Sequence, residues 1–214
     1  MINQKNKQLL SRVVFLGVLG ITVFGIFLMS RNLSKSQQTD LGGAIVEGFL
    51  SSEPDKAVLV EYSDFQCPAC RIYYPLVKQL RTDLGDKLIF VYKHFPLKKH
   101  RNADAAARAA EAAGLQGKFD EMENVLFNGQ DEWADSDQAL LLFTAYAISF
   151  GLDKERFSAD MDSEAIKNKV NGDYQEGIRL GINGTPTFFL NGRKITNPGN
   201  YDDFKLLVEK ALKQ

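Results

Sequence analysis

The rhythm of hydrophobic and polar positions divides this 214-residue chain into blocks. Val13 to Met29 runs seventeen residues without a charge. As a helix it reaches about 25 Å at ~1.5 Å per residue, against a bilayer core of ~30 Å. Basic residues before an apolar run also fit a secretory signal peptide. Signal cores are shorter, however, and Ser30-Arg31-Asn32-Leu33 is a poor cleavage site. The expectation is an uncleaved transmembrane anchor at 13–29 behind a cytoplasmic tail of residues 1–12. Lys5, Lys7 and Arg12 precede the run, so the positive-inside rule puts the N-terminus in the cytoplasm and the rest of the chain outside. Residues 30–52 read as a polar tether and an N-terminal extension, with a short edge strand between Leu41 and Glu53.

From Ala57 the period becomes 2. Val58, Val60 and Tyr62 fall on one side and Leu59 on the other, the mark of a buried strand. A short turn leads to Cys67-Pro68-Ala69-Cys70, and then Tyr73, Leu76, Val77, Leu80 and Leu84 share one helical face up to Gly85. Leu88 to Tyr92 is a second buried strand, ended by Phe95-Pro96. Strand, helix and strand make a βαβ unit with a parallel pair. From Asn102 the period is 3.6: Ala103 to Ala113 closed by Gly114, Lys118 to Phe127, Gln138 to Phe150, and Ser163 to Leu180. Leu140 to Phe150 reads as core. Strand character returns at Thr185 to Leu190. Asn191-Gly192 signals a hairpin into Arg193-Lys194-Ile195, and Tyr201 to Lys213 closes the chain as a helix.

The chemistry lies in the cysteines. Both cysteines of the chain belong to the C-x-x-C, so none is left for a structural disulfide. Residues i and i+3 share a helix face, close enough for the sulfurs to meet. Cys67 sits where backbone N–H groups and the helix dipole favour a thiolate. The competing reading is a zinc site completed by His94 and His100, whose spacing is permitted. A whole βαβ unit fills the gap from Cys70 to His94, which disfavours it, and no metal is expected. Both histidines then read as ordinary residues at a strand end and a helix start, and Asp64 as turn chemistry. Beyond residue 39 there are 21 bases against 27 acids, a balance of −6 that argues against nucleic acid as a partner.

Tyr62-Ser63-Asp64-Phe65-Gln66-Cys67-Pro68-Ala69-Cys70, Phe95-Pro96-Leu97 with His100, Gln116-Gly117-Lys118-Phe119 and Gly184-Thr185-Pro186-Thr187-Phe188-Phe189 together resemble the DsbA-type thiol-disulfide oxidoreductases, of the membrane-anchored or secreted BdbD kind. The resemblance implies an α/β architecture: a thioredoxin fold from residues 53–100 and 181–214, an inserted α-helical domain at 101–180, and a single N-terminal transmembrane helix before them. It implies a cis Pro186 facing the dithiol, with Thr185 offering backbone groups to an extended client. Glu61, six residues before Cys67, matches the buried acid beneath the second cysteine, placed to exchange protons with Cys70. The implied activity is disulfide formation in exported proteins, by a monomer without cofactor. Its partners would be reduced clients and a quinone-coupled membrane reoxidase of the DsbB or vitamin-K-epoxide-reductase type. Alternatives are a reductase or isomerase, and a non-catalytic chaperone on the same fold. One departure stands out: Pro68 and Ala69 separate the cysteines, where the best-studied strong oxidants have Pro-His.

Overall fold

The computed structural model describes residues 46–53 and 55–213. The anchor at 13–29 and most of the tether lie outside the described residues. The chain divides after Gly42, and every described residue belongs to the second unit. Among the described residues no helix is long and apolar enough to cross a membrane.

Strands β1 (Ala57–Ser63), β2 (Leu88–His94), β3 (Thr187–Leu190) and β4 (Arg193–Lys194) form one sheet in the order β2-β1-β3-β4. β1 runs parallel to β2 and antiparallel to β3, which pairs with β4 antiparallel. Helix α1 (Pro68–Leu84) makes the crossover between β1 and β2. The insertion is α2 (Ala103–Gly114), α3 (Phe119–Asn128), α4 (Gln130–Trp133), α5 (Ala139–Ser149), α6 (Lys154–Met161) and α7 (Glu164–Arg179), and α8 (Tyr201–Ala211) closes the chain.

The period-2 pattern of β1 becomes two different cores. Ala57 and Leu59 pack with Val77 and Leu80 of α1 and with Phe204 and Val208 of α8. Val58, Val60 and Tyr62 pack on the other side with Phe49, Phe95, Ile182 and Phe189. A third core fills the insertion, where the alanine face of α2 meets Met122, Leu126, Trp133, Phe143 and Phe157. Phe65, Cys67, Cys70 and Tyr74 belong to this third core. The dithiol therefore sits where the insertion meets the sheet.

Polar groups pin that junction. Lys93 of β2 pairs with Asp173 at 3.2 Å and Glu176 at 2.8 Å on α7, and the Tyr62 hydroxyl donates to Glu176 at 2.8 Å. His94 Nε2 lies 2.8 Å from Glu111 of α2, and its backbone N–H donates to Asp173 at 3.2 Å. Buried charges are costly unless paired in this way.

Several expectations need correction. Of the stretch expected to hold an edge strand, the described residues before Glu53 form a one-turn 3₁₀ helix, Glu47–Phe49, and no strand. It anchors through the Val46 N–H to the Gly192 carbonyl at 2.8 Å and through Phe49, which packs on Tyr62 and Phe189. Gly114 does not cap α2: the helix includes it, and the left-handed residue is Gly117, at φ +76°. A Cβ on Gly114 would lie 3.4 Å from Phe119, an ordinary contact distance, so neither a cap nor a close approach demands glycine there. α5 shows only one buried face. Ala139, Phe143 and Ala147 are buried, while Leu140, Leu141 and Ile148 are exposed. Helices α4 and α6 escaped the pattern because one is a single turn and the other buries only Phe157 and Met161.

Gly177 marks the closest approach of α7 to the sheet, since a Cβ there would stand 2.6 Å from the Phe95 ring and 3.2 Å from Tyr62. The Phe95 ring is buried and stacked on Tyr174, so it cannot swing away freely. Gly177→Ala gains about 1 kcal/mol of helix propensity but overpacks at a cost of about 1–3 kcal/mol. A net loss of up to roughly 2 kcal/mol should appear as a lower urea midpoint at unchanged slope; a midpoint at or above the parent's would show that the neighbours yield.

Candidate active site

β1 delivers the chain to the site and Asp64 turns it. The Asp64 carboxylate is buried and accepts from the backbone N–H of Gln66 at 2.7 Å, the N–H of Leu97 at 2.9 Å and His100 Nδ1 at 2.7 Å. The turn reading of Asp64 was thus incomplete: the residue ties the approach to the cysteines to the loop after β2. Burial pushes its carboxyl up, opposed by those three donors. The Cys67 N–H donates to the Asp64 carbonyl at 3.0 Å, which sets Cys67 as the N-cap of α1. Pro68 takes the first helical position, where a missing N–H costs nothing and its fixed φ suits the helix.

The two sulfurs occupy different environments. Cys67 is 7% exposed and Cys70 0%. The Cys67 thiol is held down to about 5, chiefly by the Cys70 thiol donating to its sulfur. Partial burial opposes this, while Thr185 and the backbone N–H groups of Cys70 and Ala69 add to it. Burial pushes the Cys70 thiol well above its ordinary value, and the neighbouring Cys67 and Glu61 push it further. At neutral pH the pair is one thiolate facing the surface and one protonated thiol behind it.

Glu61 lies on the α1 side of β1, opposite Tyr92 and Phe188 in register. Burial raises its carboxyl to about 8, with Ser63 opposing and Glu123 and Cys67 adding to the rise. It is a mostly protonated acid at pH 7, and once ionised at higher pH its charge adds to the rise of the Cys70 thiol. The Ser63 and Tyr92 hydroxyls nearby are buried without a protein partner, so this pocket beneath the dithiol is polar but sparsely bonded. Glu123 of α3, also buried, is raised to about 7 by burial, with Arg81 opposing.

Across the site the Thr185–Pro186 peptide is cis. Cys67 Sγ lies 3.4 Å from the Thr185 carbonyl, to which the thiol form donates. The thiolate has no proton to give; the Thr185 hydroxyl is buried without another partner, and Thr185 helps to hold the Cys67 thiol down. Asn197 Nδ2 donates to the Pro186 carbonyl at 2.9 Å and holds this loop in place.

Cys67, Cys70, Pro68, Ala69, Glu61, Thr185 and Pro186 thus gather in one place. His94 and His100 turn their ring nitrogens to Glu111 and Asp64 instead, and no three metal-ligating side chains gather among the described residues. Sequence reasoning missed the straps from the insertion. Gln66 Nε2 donates to the Ala134 carbonyl at 2.7 Å, and its Oε1 accepts the Asn102 N–H at 2.8 Å. Asn102 Nδ2 reaches the carbonyls of Trp133, Ala134 and Ser136. Gln130 Nε2 donates to the carbonyls of Phe65 at 2.7 Å and Cys67 at 3.2 Å. Only the short side-chain amides around the C-x-x-C hinted at this, and such residues usually sit on surfaces.

Comparison with known proteins agrees with this geometry. A solved thioredoxin-like oxidoreductase from Silicibacter pomeroyi DSS-3 superimposes with a TM-score of 0.63 at 27% identity, covering 82% of this chain and 95% of that one. Oxidised BdbD from Bacillus subtilis gives a TM-score of 0.60 at 22% identity, over 78% of this chain and 92% of that one, a likeness of fold. The Na(+)/H(+) antiporter NhaA 1 of Mycobacterium sp. (strain KMS) is 41% identical over 155 residues, 70% of this chain but 24% of the antiporter. The chain spans about a quarter of the length of the curated relatives it matches, and ion transport belongs to those whole proteins. The thioredoxin family model matches residues 52–210, most of the chain and nearly all of its described part. With its DsbA-like helical insertion, the chain belongs to the thioredoxin family.

Proposed function

We propose that this protein is a thiol-disulfide oxidoreductase working as an oxidase that makes disulfides in exported proteins. The observation that carries the reading is the unequal pair: a Cys67 thiolate held near 5 in front of a buried Cys70 thiol. Whatever stabilises the thiolate stabilises the reduced form, and so makes the disulfide form a stronger oxidant. A client thiolate attacks Cys67 Sγ of the Cys67–Cys70 disulfide. The S–S bond breaks, and Cys70 leaves as a thiolate. Glu61, protonated at neutral pH, lies beneath Cys70 as its proton source. A second client thiolate attacks the client sulfur of the mixed disulfide and Cys67 departs as its stable thiolate. The client has lost two electrons and the dithiol has gained them. A quinone-coupled membrane protein of the DsbB or vitamin-K-epoxide-reductase kind would take those electrons and restore the disulfide. The extended client would lie along Thr185 and Pro186, using backbone groups there as a strand edge.

The oxidase is set apart from a reductase by its reduction potential in a glutathione series. The expected value lies well above the about −270 mV of thioredoxin and toward the about −120 mV of DsbA. A thioredoxin-like value would make the chain a reductase instead. In the same assays Cys67→Ser should abolish client oxidation, and Cys70→Ser should accumulate mixed disulfides on non-reducing gels; the reverse pattern would exchange the two roles.

Glu61 also makes a pH prediction. Its carboxyl rises from an ordinary 4.5 to about 8 on folding. Between those values the unfolded chain ionises while the folded one stays protonated, so its contribution to stability is full below the lower value and lost as pH rises toward the upper. Glu61→Gln removes that titration. Held in the reduced form, the variant should match the parent near pH ~4 and exceed it by a few kcal/mol near pH ~8, while oxidising clients more slowly. Parallel stability curves would leave Glu61 without a buried titration.

The uncharged run at 13–29 supports a cell-membrane location with the catalytic domain on the extracytoplasmic side. The full chain should sediment with carbonate-washed membranes at its uncleaved mass. A soluble product beginning near Leu33 would replace the anchor with a signal peptide.

A further inference from the structure

We propose that Gln130, at the start of α4 in the helical insertion, is a positioning residue for the Cys67 thiolate. It acts by clamping the one peptide unit of the motif that cannot hold itself. Prolines lack an N–H, so the Cys67–Pro68 peptide carries an acceptor and no donor. Only its carbonyl can fix its plane. That carbonyl accepts the Arg71 N–H at 3.1 Å, the first bond of α1, and Gln130 Nε2 at 3.2 Å. The same nitrogen donates to the Phe65 carbonyl at 2.7 Å. An amide NH₂ has two protons, and here each is aimed at a different carbonyl. Without it, the Phe65 carbonyl would lose this donor and the Cys67 carbonyl would keep only the Arg71 N–H, a loss that is costly in a buried site.

The consequence falls on the sulfur. The Ala69 and Cys70 N–H groups that steady the thiolate belong to the peptide units just beyond the clamped one. A rotation of the Cys67 carbonyl swings them off the sulfur. The Gln130 amide also brings the positive end of a dipole to the residue that bears the anion. Both effects have the same sign, and removing Gln130 should make the thiolate less favourable. Side chains that titrate around the sulfur are Cys70 on α1 and Glu61 on β1, with the Asp64 carboxylate turned away to Gln66, Leu97 and His100. A substitution at Gln130 leaves all of them in place. Gln130 is 4% exposed, so its tie reaches the motif from within the insertion rather than from the surface.

This deepens the disulfide-exchange reading and rests on it, yet its test needs no client and no reoxidising partner. The thiolate absorbance of the reduced full chain is titrated against pH for the parent, Gln130→Leu and Gln130→Glu. Gln130→Leu donates nothing. Gln130→Glu keeps the size but offers one proton when neutral and a negative charge when ionised. Both should raise the Cys67 midpoint by about one pH unit, tenfold in thiolate at a given pH below it, and should shift the reduction potential toward the reducing side. Trp133→Phe, on the same short helix as Gln130, removes the indole bond to the Leu126 carbonyl of α3 and controls for loosening of the insertion. It should lower stability and leave the midpoint where it is. If either folded Gln130 variant titrates with the parent, or if Trp133→Phe shifts the midpoint equally, Gln130 is a structural residue only. Failure of client oxidation in a parent whose thiolate responds as described would instead overturn the oxidase and spare the clamp.

Discussion

An anion on a sulfur with little access to water is the constraint around which this molecule is arranged. Cys67 is nearly covered, and a thiolate there persists only if protein donors replace the solvent it has lost. The replacements come from three directions: the Cys70 thiol from behind, the first N–H groups of α1 from below, and Thr185 from the facing loop. None of these donors is strong alone. Their convergence depends on the backbone of residues 64–70 being held in one conformation, and most of the unusual packing nearby holds it there.

That role explains why the insertion is joined to the sheet by polar contacts as well as apolar ones. The alanine face of α2 allows close approach, and the ties of His94 with Glu111 and of Lys93 with Asp173 and Glu176 fix the register of that approach. A purely apolar seam could slide by a fraction of an ångström at small cost. Ion pairs and hydrogen bonds anchored on the buried Asp173 and His94 resist sliding more strongly, because each displacement would leave a buried polar group without its partner. The amide straps from Gln66, Asn102 and Gln130 carry the same precision to the cysteines.

What the sequence disclosed follows from range. Cys67 and Cys70 are three residues apart, Glu61 shares a strand with Tyr62, and Thr185-Pro186 precedes an apolar run; each is a local pattern. The parallel pair and the closing hairpin follow from the same local patterns, whereas the antiparallel pairing of β1 with β3 joins distant segments and does not. Gln130 and Asn102 acquire meaning only when chain segments about thirty to sixty residues away arrive at Phe65, Cys67 and Trp133. No periodicity announces that. Asp64 looked like turn chemistry because its bonds to Leu97 and His100 cross from one strand end to another. Gly114 reads as a cap because a second glycine three residues on, Gly117, takes the left-handed turn, and the letters alone do not say which of the two ends the helix.

The final strand of the sheet has a consequence of a different kind. β4 is two residues long, Arg193 and Lys194, both exposed. An open sheet edge is a template on which any extended chain can grow, and a protein that handled unfolded polypeptides, as proposed above, would be at risk of recruiting them there. A border so short, bearing two positive charges, gives an incoming strand too few bonds to seed a fibril and repels basic segments besides. At β4 the margin of the sheet is thus a poor template for co-aggregation.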